Sequence, residues 1–163
     1  MKSKILILFL SVGLINCANL EFVYKMNKGV IETKNSVVFS VSGDDYSDIK
    51  NYITRIFGEP SESPMYRLIV SSKKFEKAEV IEGDATASKF KIEYEISYNF
   101  YNLEKNCKII DSEIITQDSY YAKSAGYSFG TDLSKNETAK TIRNNNVDQF
   151  ISSLNKKSNL DDC

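Results

Sequence analysis

Phe90-Lys91-Ile92-Glu93-Tyr94-Glu95-Ile96-Ser97-Tyr98-Asn99-Phe100 alternates large apolar or aromatic residues with polar ones, without a break. Side chains of a strand point to opposite faces in turn, so the six large residues share one face. A pure period of two excludes a helix. The other face carries Lys91, Glu93, Glu95, Ser97 and Asn99, which belong in water or against a polar partner. A sheet dry on one side and wet on the other is antiparallel or mixed. Its dry side needs a cover, and the rest of the chain supplies two amphipathic helices.

Working outward, Ser36 to Ser42 predicts a first strand, with Val37, Phe39 and Val41 on one face. Gly43-Asp44-Asp45 predicts a turn, its aspartate capping the next helix. Ile49, Tyr52, Ile53 and Ile56 stand at helical spacing and place that helix at Tyr46 to Phe57. Gly58 suits its C-terminal cap and Pro60 stops it. The second strand begins near Met65 and runs to Ile81, with a bulge expected at Ser71 to Lys74, where the alternation changes phase. After the turn Glu82-Gly83-Asp84 the third strand spans Thr86 to Tyr101. A short connection then leads to a fourth strand from Cys107 to Asp118, with a second bulge expected near Asp111. Ser119 to Thr131 reads as an aromatic, glycine-bearing loop. Ser134 with Glu137 forms a capping-box pattern ahead of a helix to Leu154. The expected fold class is α+β: two helices packed on one face of a four-stranded mixed β-sheet in the order β-α-β-β-β-α, a two-layer sandwich.

The 163 residues fit one domain, and a formal net charge of −1 gives no basic surface for nucleic acid. There is no histidine, which removes the commonest general base and the commonest metal ligand. Without it no Ser-His-Asp or Cys-His set can form, and no phosphate loop or dinucleotide fingerprint occurs. Glu93 and Glu95 read as a solvated strand face rather than an acid–base pair. Asp44, Asp45 and Asp48 lack the glycine and glutamate of a calcium loop. No cofactor and no catalytic residue is expected.

Met1 to Lys4 is a basic head, and Ile5 to Ile15 an apolar run too short to span a bilayer, which takes about 20 residues. Together they read as a signal peptide over residues 1–16. The run ends in Leu14-Ile15-Asn16-Cys17, which is similar to a bacterial lipobox with Cys17 as the lipidated first mature residue. Two or more acyl chains give a stable anchor, each buried methylene contributing about 0.8 kcal/mol. Ala18, in place of an aspartate, favours the outer membrane. Residues 17–35 form a lipid-anchored tether, 36–155 the folded domain and 156–163 a polar tail. Cys107 and Cys163 are then the remaining thiols. They can pair in an oxidising compartment, or Cys163 can stay free at the chain end.

Lys73, Lys74 and Lys77 cluster in the second strand, close to Arg67. They read either as a solvated edge that blocks stray strand pairing or as contacts to an anionic ligand such as a phosphorylated glycolipid. Tyr120, Tyr121, Tyr127 and Phe129 read either as core or as a partner surface.

The lipobox, the tether with Glu21-Phe22-Val23-Tyr24, and the order strand, helix, three strands, helix resemble the LPS-assembly lipoprotein LptE family. Asp84-Ala85-Thr86-Ala87 leading into Phe90 to Ile96 looks like that family's central strand. Asp118-Ser119-Tyr120-Tyr121-Ala122 and Phe150-Ile151-Ser152-Ser153-Leu154 fit it too. The resemblance implies a non-enzymatic plug and assembly factor for an LptD-like outer-membrane β-barrel, assisting lipopolysaccharide delivery to the cell surface. It implies Cys17 as the lipid anchor on the periplasmic side of the outer membrane. Lys73, Lys74 and Lys77 are the glycolipid contacts that charge selects, since no family motif marks them. An accessory lipoprotein of another lipid or solute transporter is the alternative expectation.

Overall fold

The structure is a computed structural model that describes residues 33–81, 87–122, 128–157 and 160. The signal segment, Cys17, the tether up to residue 32, the turn at Glu82 to Asp84, Tyr127 and Cys163 lie outside those residues. The described elements are β1 (Val37–Gly43), α1 (Tyr46–Phe57), β2 (Tyr66–Ile81), β3 (Ala87–Asn102), β4 (Cys107–Tyr121) and α2 (Ser128–Lys156). The strands form one sheet in the order β1-β2-β3-β4. β1 and β2 are parallel, and the other two pairs antiparallel. This is the expected β-α-β-β-β-α fold, with both helices on a mixed sheet.

The alternation of β3 sets the core. Ile92, Tyr94, Ile96, Tyr98 and Phe100 are fully buried, and Leu68, Val70 and Val37 extend the same face across β2 and β1. α1 closes this face with Ile49, Ile53 and Phe57, all fully buried. α2 closes it with Val147, Phe150 and Leu154. Phe150 stacks on Tyr98 with centroids 4.3 Å apart and meets Phe100 edge-on at 6.4 Å. The offset and edge geometries follow from the ring quadrupole.

Two glycines are required by geometry. Gly43 has φ +95°, and a side chain there would run into the carbonyl of Ser72. Gly58 has φ +78° and donates its N–H to the Thr54 carbonyl at 2.8 Å, ending α1 where its sequence position implied, with ψ −178° rather than the left-handed value.

Three local expectations are corrected, and the bulge expected near Asp111 is found two residues earlier. β2 is continuous through Ser71 to Lys74, and its register shifts only between Ala78 and Ile81. The sequence alternation changes phase because β2 outruns α1: beyond Ser72 both of its faces are largely open, and the apolar marking of the dry face stops. In β4 the irregularity falls where Phe100 pairs with Ile110 and Tyr101 with Lys108, leaving Ile109 as the extra residue. α2 begins at Ser128, so Ser134 and Glu137 lie inside it rather than at its start. Asp45 occupies the position before α1 but makes no side-chain cap bond; its carboxylate is held elsewhere, as described below. Cys107 is disulfide-bonded, and the two other cysteines are outside the described residues.

Candidate functional site

The helices cover one side of the sheet, and the other side is open. Strand alternation places Arg67, Ile69, Ser71, Lys73, Phe75, Lys77 and Glu79 of β2 on that open face. The register then lays cross-strand rows over it: Lys73-Glu95-Ile115, Phe75-Glu93-Gln117 and Lys77-Lys91-Ser119. Ion pairs along these rows neutralise most of its charge. Lys73 meets Glu95 at 3.9 Å, Lys91 meets Glu93 at 3.2 Å, Lys89 meets Glu79 at 2.9 Å and Lys108 meets Asp111 at 2.8 Å. Glu93 and Glu95 are thus salt-bridged members of a wet face. Such exposed pairs add at most about 1 kcal/mol each to stability.

Phe75, Lys77, Lys91, Glu93 and Glu95, with Lys74 and Glu76 at the rim, line a groove of about 540 Å³. Lys77 stands directly opposite Lys91. Like charges in that position repel. Lys91 is relieved by Glu93, whereas Lys77 makes no ion pair among the described residues. Phe75 is half exposed beside them.

The three lysines singled out from sequence therefore divide. Lys73 and Lys77 share the open face, and Lys91 joins them from β3. Lys74 points the other way, toward the helices, where its Nζ lies 3.3 Å from Asp45 Oδ2 and 5.6 Å from the ring centre of Tyr94. The reason is the period of two: adjacent strand residues cannot serve the same face. The aromatic set divides in the same way. Tyr120 is buried, stacks on Phe90 at 5.3 Å and donates to Glu76 Oε1 at 2.5 Å. Tyr121 is exposed on the open face under Lys89. The Phe129 side chain is outside the described residues.

A polar cluster that the sequence reading missed joins the two layers beyond the end of β1. Tyr94 donates its hydroxyl to Asp45, and Arg143 of α2 reaches Asp45 at 3.5 Å and Asp48 at 3.0 Å. Arg143 is buried, and its Nε has no partner among the described residues. Nearby, Lys135 of α2 pairs with Glu76 at 2.6 Å. Burial pushes the Asp45 carboxyl up. The Tyr94 hydrogen bond, with Lys74 and Arg143, outweighs this and holds it below its ordinary 3.8. For Glu76 burial again acts upward, and Lys135 and Tyr120 outweigh it, holding it below 4.5. Carboxylates lowered on folding stabilise the fold above their unfolded pKa, and that contribution is lost as pH falls through the folded pKa. Asp45→Asn is accordingly expected to lower the melting temperature at pH 7. The gap from the parent narrows below about pH 4, and a melting series from pH 7 to pH 2 checks this.

No protein-family model matches the sequence, and no curated protein does. Among solved structures, a lipoprotein from Caulobacter crescentus CB15 shares 12% identity, with a TM-score of 0.59, over 78% of this chain and 93% of that one. The rare lipoprotein B from Shewanella oneidensis gives 10% identity and a TM-score of 0.56, over 71% and 92%. The uncharacterized lipoprotein B from Nitrosomonas europaea gives 12% and 0.53, over 77% and 86%. At these identities the likeness concerns the fold: the chain has the α+β fold seen in a group of small bacterial lipoproteins.

Proposed function

We propose that the protein is a non-enzymatic outer-membrane lipoprotein of lipopolysaccharide assembly. Anchored through Cys17, it acts as a plug and assembly factor for an LptD-like β-barrel. The observation that carries this reading is the open sheet face. It is wide, polar and left uncovered by the described residues, and four ion pairs, from Lys108–Asp111 at one end to Lys89–Glu79 at the other, neutralise most of its charge. A surface of that kind can lie against a polar barrel wall with few unpaired charges left behind, since interfaces between separately folded proteins are about as polar as the rest of a surface. The fold shared with small lipoproteins and the lipobox-like Leu14-Ile15-Asn16-Cys17 support the anchor. Lys73, Lys77 and Lys91 are the groups on this face able to meet glycolipid phosphates, while Lys74 stays in its ion pair with Asp45.

The test is affinity capture of the lipidated protein from outer membranes in mild detergent, with co-purifying chains identified by mass. The expected result is a β-barrel protein several times larger, lost when Cys17→Ala prevents anchoring. Recovery of the protein alone, with its lipid intact, refutes the plug. A partner from the inner membrane favours a transporter accessory instead.

A further inference from the structure

The stretch of β2 that β1 leaves unpaired and the β4 edge are guarded very differently. On one side β1 ends where Gly43 pairs with Ser72, leaving the rest of β2 as an edge. That stretch is defended. Asp44 Oδ2 accepts the Lys74 N–H at 2.8 Å, lysines stand at positions 73, 74 and 77, and the register breaks after Ala78. Lysines and bulges are the usual means by which edge strands refuse foreign strands.

The other edge, β4, has no such defence. Its register against β3 runs unbroken from Phe100–Ile110 to Lys89–Tyr121. No lysine, arginine or proline occurs between Ile109 and Tyr121. Ala122 N–H donates to Ser88 C=O at 3.1 Å, so even-numbered residues of this strand bond toward β3. Antiparallel backbone groups alternate in direction, so Asp111, Glu113, Ile115 and Gln117 turn their N–H and C=O groups outward. No strand of the described residues pairs with them, and all four side chains are exposed. The run stops at Ser119, whose N–H is taken by Asp118 Oδ1 at 2.7 Å. The edge is acidic: Lys108 is paired with Asp111, while Glu113 and Asp118 form no ion pair among the described residues.

We propose that the β4 edge from Asp111 to Gln117 receives an extended strand of another protein, basic opposite Asp111 and Glu113 and apolar opposite Ile115. Strand addition uses backbone bonds for affinity and alternate side chains for choice of partner. Charge favours this occupant over a second copy of the chain, since a basic strand meets both acids while self-pairing either sets Glu113 or Asp111 against another acid or leaves both acids without a cross-strand cation. The proposal does not depend on the lipopolysaccharide reading, because it rests on the outward backbone groups of β4, although the side chains of those residues border the open face.

The experiment titrates the full chain with three synthetic peptides at low salt: alternating lysine and valine, alternating glutamate and valine, and the lysine–valine peptide with its backbone N-methylated. Amide exchange of β4 is followed in parallel. The lysine peptide is expected to bind and to slow exchange at Glu113, Ile115 and Gln117. The glutamate peptide should bind at least about tenfold more weakly, which corresponds to two unfavourable cross-strand charge pairs. The N-methylated peptide should not bind. Ile115→Pro, which removes one outward N–H at an edge, should abolish binding with melting nearly unchanged; Ile115→Lys gives the same loss of binding if the proline variant fails to fold. Equal binding of the N-methylated peptide, absence of any binding, binding without protection of those amides, or dimers that form through β4 in place of peptide binding would each overturn the proposal.

Discussion

Phe150→Ala is expected to lower the unfolding free energy by about 3–5 kcal/mol, the range for deleting a buried aromatic side chain. Phe150 has no exposed surface, and its ring fills the gap between α2 and the middle of the sheet. It lies nearly parallel to Tyr98, with 4° between the ring planes, and edge-on to Phe100. Its ring partners come from β3, which is paired along its length on both sides. That surrounding structure has little freedom to collapse into the space, so the cavity cost adds to the lost transfer energy. A domain of this size has only about 5–15 kcal/mol of stability, so the variant sits near the threshold of unfolding. Urea denaturation at neutral pH measures the change. A loss below about 1 kcal/mol would mean that α2 is not seated on the sheet as described.

The second large effect concerns a buried polar residue. Asn146 is fully buried in α2. Its Oδ1 accepts the Tyr98 hydroxyl at 2.9 Å, and its Nδ2 donates to the Ile114 carbonyl at 2.8 Å and to Thr116 Oγ1 at 3.0 Å. Thr116 Oγ1 in turn donates to the Ile142 carbonyl at 3.0 Å, closing the link back to α2. Asn146→Leu keeps the volume but strands the Tyr98 hydroxyl in the core. An orphaned buried group costs about 1–3 kcal/mol. Adding Tyr98→Phe removes the orphan, so the double variant is expected to be more stable than Asn146→Leu alone. The inequality is the test: a double variant less stable than either single one would show that the hydroxyl is satisfied by another group.

Asn146 also explains a feature that looked wrong for a helix. Asn144-Asn145-Asn146 has poor helical propensity, yet the helix runs through it to Lys156. Tertiary hydrogen bonds from one of the three residues override the local preference. The same kind of override hides the start of α2, because Ser134 and Glu137 look like a cap from sequence and are interior in fact.

Alternation along Phe90 to Phe100 determined by itself that a sheet would form and which of its faces would be dry. Helical spacing from Ile49 onward, with Gly58 and Pro60 behind it, determined where α1 runs. These patterns are legible because burial acts on each element separately and leaves a local period behind. The partnerships between elements carry no such mark. Only the tertiary structure decided that Lys74 meets Asp45, that Lys91 stands opposite Lys77, and that β4 is an unguarded edge while the stretch of β2 beyond Ser72 is a guarded one. Each depends on register and strand order, and these are set by contacts between residues far apart in the chain, where the spacing of neighbouring residues holds no information.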